Sequence, residues 1–389
     1  MIRNISIGID LGSSRTKVVV AEFLRGEKNP KIIGVGESET KGVRHGYIVN
    51  MPLAITSIKN AVLLAEKSSD IKIKRAFISI GGLTLRSETI SGTGIVSKVD
   101  SEVTKLDINK TLDDSEDNLN LNNKKIIEAI PISFKLDGKE VLGRPEGMKG
   151  TKLEVKTLFV TCSIPHWEDL LEAVALAGVE PVNVIASSMA ESRLVLSEKQ
   201  KIVGVALANI GSETVSLSVF ENGLLTSLHT FSIGGADITN DIALGLKISL
   251  ENAEKFKLGN ITPDYPKKKL DEIIEARLSD IFELIENYLK KIKRNELLPA
   301  GIVFTGGSAN IPSLEEFSKS ALKLPSRIGE TEIFGNIKTK LRDPSWFTAL
   351  GLVMGNNIDN SDLYFENSLK NFLKNVKNAV RSGVKQLMP

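Results

Sequence analysis

Residues 6–20, SIGIDLGSSRTKVVV, and residues 203–217, VGVALANIGSETVSL, are two copies of one pattern: an apolar strand, a tight glycine-bearing turn and a second apolar strand. Aligned on the turn glycines, Asp10 falls opposite Asn209, Gly12 opposite Gly211, Ser14 opposite Glu213 and Lys17 opposite Ser216. Short apolar runs bounded by Gly and Ser are hairpin signals. The chain therefore reads as two related halves, of which only the first keeps an acid at the position of Asp10.

A strand-turn-strand with Asp-x-Gly at the tip presents backbone N–H groups and small hydroxyls to an anion, while the Asp can hold a metal-bound water. In the first copy Asp10, Gly12, Ser13 and Ser14 form this turn, and Lys17 can supply charge to phosphate oxygens. Gly211 and Thr214 hold the corresponding places in the second. One such turn is weak evidence, because any hairpin can carry Asp-x-Gly. A third stretch, GIVFTGGSANIP at Gly301 to Pro312, adds Gly306, Gly307 and Ser308 in a loop expected between helices, and the set of three is far more specific. The phosphate loop Gly-x-x-x-x-Gly-Lys-Ser/Thr is absent.

A chain of 389 residues exceeds the size at which single cores stop growing, so two lobes or more are expected. With 41% hydrophobic and 25% charged residues the composition is that of an ordinary globular protein, and a net charge of +2 gives no basis for nucleic-acid binding. The lone cysteine, Cys162, sits in the apolar run LFVTCSI and reads as a buried core residue of a protein in a reducing compartment. His45, His166 and His229 have no metal-ligand spacing, and no nucleophile-elbow serine occurs, so no catalytic residue is assigned. No segment approaches the roughly 20 apolar residues of a membrane span, and a cytoplasmic location is expected.

Along the chain, strands and helices alternate as in an α/β protein. A helix is expected from Pro52 to Ser68, a strand from Arg75 to Gly81, and a helix from Trp167 to Ala177 stopped by Gly178. The Asn- and Asp-rich stretch Asp107 to Lys125 reads as short helices and loops of a small subdomain. Leu270 to Ile292 reads as a long amphipathic helix, basic at its end.

The two turns and the Gly-Gly loop, in this order, resemble the actin-like ATPase superfamily, where two such hairpins grip nucleotide phosphates. AEKFK fits too, with Glu254 and Lys257 on one helical face, where relatives use Glu and Lys against ribose and base. KGVRHGYIVNM (Lys41 to Met51), FISIGG (Phe77 to Gly82), PEGMKGTKLEV (Pro145 to Val155), IGGADITNDIALGL (Ile233 to Leu246, with Gly234 and Gly235) and DPSWFTALGL (Asp343 to Leu352) narrow the resemblance to the FtsA family of bacterial cell-division proteins. That resemblance implies an actin-like two-lobed α/β fold with ribonuclease H-like halves. It places subdomain 1A at 1–82 and 162–190, an FtsA-type 1C subdomain at 83–161, and subdomains 2A and 2B with a return to 1A at 191–355. A linker at 356–367 and a membrane-targeting helix at 368–388 follow. It also implies ATP and Mg2+ as cofactors, with Asp10 as the metal's residue, filaments of like copies, and a peripheral place on the cytoplasmic face of the membrane at the division septum. Other division proteins are further partners it allows.

The second turn departs from the family's DIGGGTT. Asn209 stands where an acid would order magnesium-bound water, and Glu213 stands where glycine would lie against the phosphates. A carboxylate about 4 Å from phosphate at an effective dielectric near 20 is repelled by about 4 kcal/mol unless it turns away or meets a cation. Slow or absent hydrolysis is therefore expected. An actin-fold kinase or ATPase, and the type IV pilus assembly protein PilM with its similarly worded DLGSS, are the alternatives.

From Glu366 onward five basic residues stand against one acid. At about 100° per residue, Leu369, Phe372, Leu373, Val376, Ala379, Val380, Val384 and Leu387 share one helical face, with Lys370, Lys374, Lys377, Arg381 and Lys385 beside it. That is the pattern of an interfacial helix on an anionic membrane. By the resemblance, the C-terminal peptide of FtsZ is received near the Leu270 to Ile292 helix, whose candidate contacts are Arg277, Lys290, Lys291, Lys293 and Arg294.

Overall fold

The computed structural model describes residues 4–24, 29–260, 266–331, 333 and 339–357. The helix expected at 368–388, with its candidate membrane residues, lies outside the described residues. Among the described residues, no helix is long and apolar enough to cross a membrane.

The first lobe begins with an antiparallel meander of β1 (Asn4–Leu11), β2 (Arg15–Phe23) and β3 (Lys31–Glu39). A two-rung hairpin, β4 (Val43–Arg44) and β5 (Tyr47–Ile48), precedes α1 (Met51–Ser69). The Asn50 side chain accepts the N–H of Leu53 and starts α1 one residue ahead of the expected Pro52. Then β6 (Arg75–Ile80) lies parallel to β1. Its neighbour on the far side, also parallel, comes only after a long excursion.

That excursion is a subdomain with its own sheet and core. It holds β7 (Arg86–Ile95), α2 (Lys105–Asp117), β8 (Lys124–Leu136), β9 (Lys139–Val141) and β10 (Lys152–Ser163), in the order β7-β10-β8-β9. Val96, Val103, Phe134, Leu136, Leu153 and Val155 are buried together there. The Asn- and Asp-rich stretch supplies α2 and the loop to β8, as its Leu and Ile spacing predicts. The chain returns through α3 (Ile164–Leu176), which starts at Ile164 rather than Trp167 and ends before Gly178 at φ +94. β11 (Glu180–Ala186) completes the first sheet.

Two helices, α4 (Ser187–Val195) and α5 (Glu198–Val203), carry the chain into the second lobe. There β12 (Val205–Ile210), β13 (Val215–Glu221) and β14 (Leu224–Phe231) form a second meander. Helices α6 (Gly235–Leu246), α7 (Leu250–Lys257) and α8 (Lys267–Lys291) follow, and the expected Leu270–Ile292 helix thus begins a turn earlier. β15 (Ile302–Thr305) pairs parallel with β12, and α9 (Leu314–Leu322) leads to β16 (Ser326–Ile328), parallel to β15. Finally α10 (Phe347–Val353) returns to the first lobe against α4 and β1.

The sheet orders are β3-β2-β1-β6-β11 and β14-β13-β12-β15-β16. They match strand for strand: a meander, then two parallel strands on the far side of its first strand. The repeat read in the turns is therefore a repeat of whole sheets. The Gly306-Gly307 pair needs one correction. It follows the buried strand β15 and opens a 3-10 turn at Gly307–Asn310, rather than joining two helices. Because Thr305 pairs with Asn209, the loop stands at the carboxyl end of the second sheet beside the second turn.

Candidate functional site

Both turns close the same way. The Gly12 N–H donates to the Arg15 carbonyl at 3.2 Å and the Gly211 N–H to that of Thr214 at 2.9 Å. A β-carbon at Gly12 would lie 2.9 Å from the Arg15 oxygen and one at Gly211 3.1 Å from the Thr214 oxygen, so each turn is too tight for a larger residue without adjustment. Asp10 pairs in register with Lys17, and Asn209 with Ser216. The helix α6 docks on the second turn through Gly235 N–H to Gly211 O (2.9 Å) and Ala236 N–H to Ser212 O (2.7 Å), while Gly234 N–H is held by the Asp237 carboxylate (2.8 Å).

Asp10 accepts the Ser79 hydroxyl at 2.7 Å. Burial raises its pKa, opposed by that hydrogen bond and by the charge of Lys17. Lys17 is 6% exposed and donates to the Ser345 carbonyl at 2.6 Å, 5.4 Å from the Trp346 ring centroid. Burial lowers its pKa, opposed chiefly by Asp10, then by Glu37 and Asp343. The cation is thus anchored where the chain re-enters the first lobe.

Asn209 is joined to a residue that the sequence reading did not single out. Its amide donates to Glu191, which is wholly buried on α4. The same carboxylate accepts the hydroxyls of Thr305 (2.7 Å) and Thr348. Burial pushes the Glu191 pKa up to about 7; the three donors oppose that rise, and the charge of Asp10 adds to it. Close packing makes the contact possible, since a β-carbon at Gly351 on α10 would lie 2.0 Å from the Ala190 carbonyl on α4.

Glu213 has met a cation. Its carboxylate pairs with Arg44 at 2.8 Å and accepts the His45 N–H at 2.6 Å, while the His45 ring lies 3.1 Å from the Glu213 carbonyl. Beside it, the Gly46 N–H donates to the Ser13 hydroxyl at 3.1 Å. The tip of the β4–β5 hairpin therefore touches both turns at once. Arg44 and His45 lie within KGVRHGYIVNM, so their region was read as a landmark and their role was not.

On the far wall, Gly306 has φ +86, and a β-carbon there would lie 2.5 Å from Asn209 Oδ1. Ser308 is buried against Gly235. Lys257, 4% exposed, donates to the Gly235 carbonyl (3.0 Å), to Thr239 (2.9 Å) and to Glu254 (2.6 Å), tying α7 to α6. Half of the Glu254 side chain stays open to solvent. Ser14 and Thr214 complete the two turns, Ser14 through its carbonyl to the Thr40 N–H at 2.9 Å.

Of the five candidate cations on α8 and just after it, three are paired with acids. Arg277 pairs with Asp241 (2.7 Å) and Asp280 (3.2 Å), Lys290 with Glu286 (2.9 Å), and Arg294 with Glu221 (2.7 Å). Lys293, at φ +59, follows the helix end. Lys291 lines a cavity of about 480 Å3 with Arg86, Ser227, His229 and Tyr288, between the inserted subdomain and the second lobe. Among the described residues, Arg86 and Lys291 make no ion pair. Burial lowers the His229 pKa, and both cations push the same way.

Two like sheets with facing turns and a hinge of two chain crossings define an actin-like, two-lobed protein. The fold is similar to that of the PilM–PilN type IV pilus biogenesis complex (TM-score 0.67, 16% identity, 90% of this chain and 98% of that one). It is also similar to MreB 5 of Spiroplasma citri bound to AMPPNP (TM-score 0.51, 14% identity, 95% and 98%). Residues 206–351 match the family of cell division protein FtsA, and residues 82–161 match the SHS2 domain inserted in FtsA. Cell division protein FtsA of Bacillus subtilis is 30% identical over 369 residues, 89% of this chain and 82% of that protein. FtsA of Streptococcus pneumoniae is 32% identical over 349 residues (83% and 76%), and that of Pseudomonas aeruginosa 27% over 370 (90% and 88%). The chain belongs to the FtsA family of cell-division proteins.

Proposed function

We propose that this cell-division protein binds ATP with Mg2+ between its lobes, releases product at near-background rate, and serves as a scaffold rather than a motor. It would assemble with like copies into filaments and hold FtsZ to the anionic cytoplasmic membrane at the septum. The residues present fit a nucleotide: the tight Gly12 turn, Ser13, Ser14 and Lys17 on one side, and Gly211, Thr214, Gly306, Gly307 and Ser308 on the other. Asp10 would hold the magnesium's water, and the Glu254 side chain and α6–α7 would border the nucleoside. Magnesium supplies charge neutralisation along the phosphates.

The observation that carries slow turnover is Asn209. An amide at the second turn can accept a hydrogen bond from metal-bound water, but it neither takes up a proton from an attacking water nor brings a charge close to the metal. Steady-state phosphate release is expected to match that of a Lys17→Ala control shown by thermal melting to be folded. Release well above that control overturns the scaffold reading.

A further inference from the structure

Asn209 has an acid as its neighbour, Glu191. Glu191 is 0% exposed and receives three donors, from Asn209 on β12, Thr305 on β15 and Thr348 on α10. Glu191 itself lies on α4, the outgoing chain crossing, and α10 is the returning one. One carboxylate therefore links both crossings to the two central strands of the second sheet.

An amide has a donor end and an acceptor end. An ionised carboxylate accepts only, and with Thr305 and Thr348 also donating to Glu191, the NH2 of Asn209 turns to it and the oxygen turns away. Asn209 Oδ1 is indeed directed at the turn, 2.5 Å from the position of a β-carbon on Gly306 and 3.8 Å from one on Gly211. The oxygen lies beside the glycines of the second turn and of the Gly-Gly loop, and an acid sits one side chain further back.

We infer that Glu191 is a positioning residue for the magnesium-bound nucleotide: Asn209 and Glu191 together replace a single turn aspartate, with Glu191 holding the charge and fixing the amide so that its oxygen faces the phosphates. This rests on the nucleotide reading above. It has a consequence opposite to the simple one. Restoring an acid by Asn209→Asp sets two carboxylates against each other in a buried place, where like charges are strongly disfavoured. Exchanging the two groups does not, because an amide at 191 can donate to an acid at 209.

The experiment is a four-protein cycle of wild type, Asn209→Asp, Glu191→Gln and the double variant. Each is measured at pH 8.5, where Glu191 of the wild type is ionised, for apo melting temperature and for affinity to a fluorescent ATP analogue, with Mg2+ and with EDTA. Asn209→Asp is expected to melt lower and to lose about tenfold of its Mg2+-dependent affinity, the equivalent of one pK unit of charge interaction. Glu191→Gln, which keeps the shape and removes the charge, is expected to lose Mg2+-dependent affinity while changing the EDTA value little. The double variant is expected to recover both melting temperature and Mg2+ response, a rescue that a packing role alone would not produce. Asn209→Asp binding Mg-nucleotide as well as wild type with unchanged melting overturns the inference, as does a double variant no better than the worse single one. Absence of nucleotide binding by wild type removes the nucleotide reading itself, and this role with it, while the apo melting cycle still reports whether the two side chains are paired.

Discussion

The Glu213 carboxylate meets the Arg44 guanidinium at 2.8 Å, so the second turn of one lobe is tied to a small hairpin of the other. The His45 N–H strengthens the tie at 2.6 Å. A residue that by charge alone should repel phosphate instead joins the two lobes. Arg44 is largely exposed, and an exposed pair contributes little to stability, but a clasp across a cleft acts on opening. Arg44→Ala and Glu213→Gln are each expected to speed nucleotide release about fivefold, the equivalent of ~1 kcal/mol, with little change in melting temperature. Stopped-flow displacement of a fluorescent nucleotide measures this. Release rates equal to wild type in both variants would show that the pair does not gate the cleft.

The same hairpin packs, through Tyr47, on a buried histidine that adds to the protein's acid sensitivity. His166 is buried, its Nδ1 lies 2.8 Å from the Thr84 hydroxyl, and its ring packs on Tyr47 with centroids 5.0 Å apart. Burial pushes its pKa down from 6.5 to about 4. The folded state thus favours the neutral ring, so its contribution is present above pH 6.5 and is lost as pH falls through 4. The full difference is on the order of 3 kcal/mol. Urea unfolding at pH 7 and pH 4.5 is expected to show a smaller loss in His166→Gln than in wild type. Parallel losses would place the acid sensitivity elsewhere.

The paired turns were legible because their geometry is local: alternating apolar residues around a short glycine-bearing tip admit one reading. The Gly-Gly loop was misplaced because GIVF is a short apolar run that periodicity alone cannot assign to helix or strand. Glu191 was not legible at all. In SSMAESRLV it is a lone acid, and its partners lie 18, 114 and 157 residues away. The candidate cations on α8 and just after it were visible, but the acids that neutralise Arg277 and Arg294, Asp241 and Glu221, come from other elements.

Residues 356–389 carry the expected membrane contact through sequence alone. A chain ending at Gly355 is expected to leave anionic vesicles in co-sedimentation, and Phe372→Glu to do nearly the same by placing a charge in the apolar stripe. Raising salt should weaken the full chain's binding as the lysines are screened. Vesicle binding by the shortened chain equal to that of the full chain would assign the tail another role.

For the FtsZ peptide, the ion pairs on α8 and just after it separate the candidate cations into two groups. Arg277, Lys290 and Arg294 already face carboxylates, so a peptide acid must compete for them. Lys291 and Arg86 line the cavity with two acids that already have partners, Glu88 with Lys124 and Glu221 with Arg294, and make no ion pair themselves among the described residues, so an acidic segment entering there would meet two unpaired cations. Such charges steer and register a peptide, while its apolar side chains supply most of the affinity. Reversing Lys291 and Arg86 to Glu is therefore expected to weaken binding about tenfold, whereas Lys290→Gln changes it less than about twofold, as expected for one exposed ion pair. Fluorescence anisotropy with a labelled FtsZ C-terminal peptide reads both, and vesicle binding by the tail serves as the control for folding. Equal affinity in the double reversal and in wild type moves the peptide away from this end of α8, and a larger loss in Lys290→Gln than in the reversal would return the contact to the solvent-facing side of the helix.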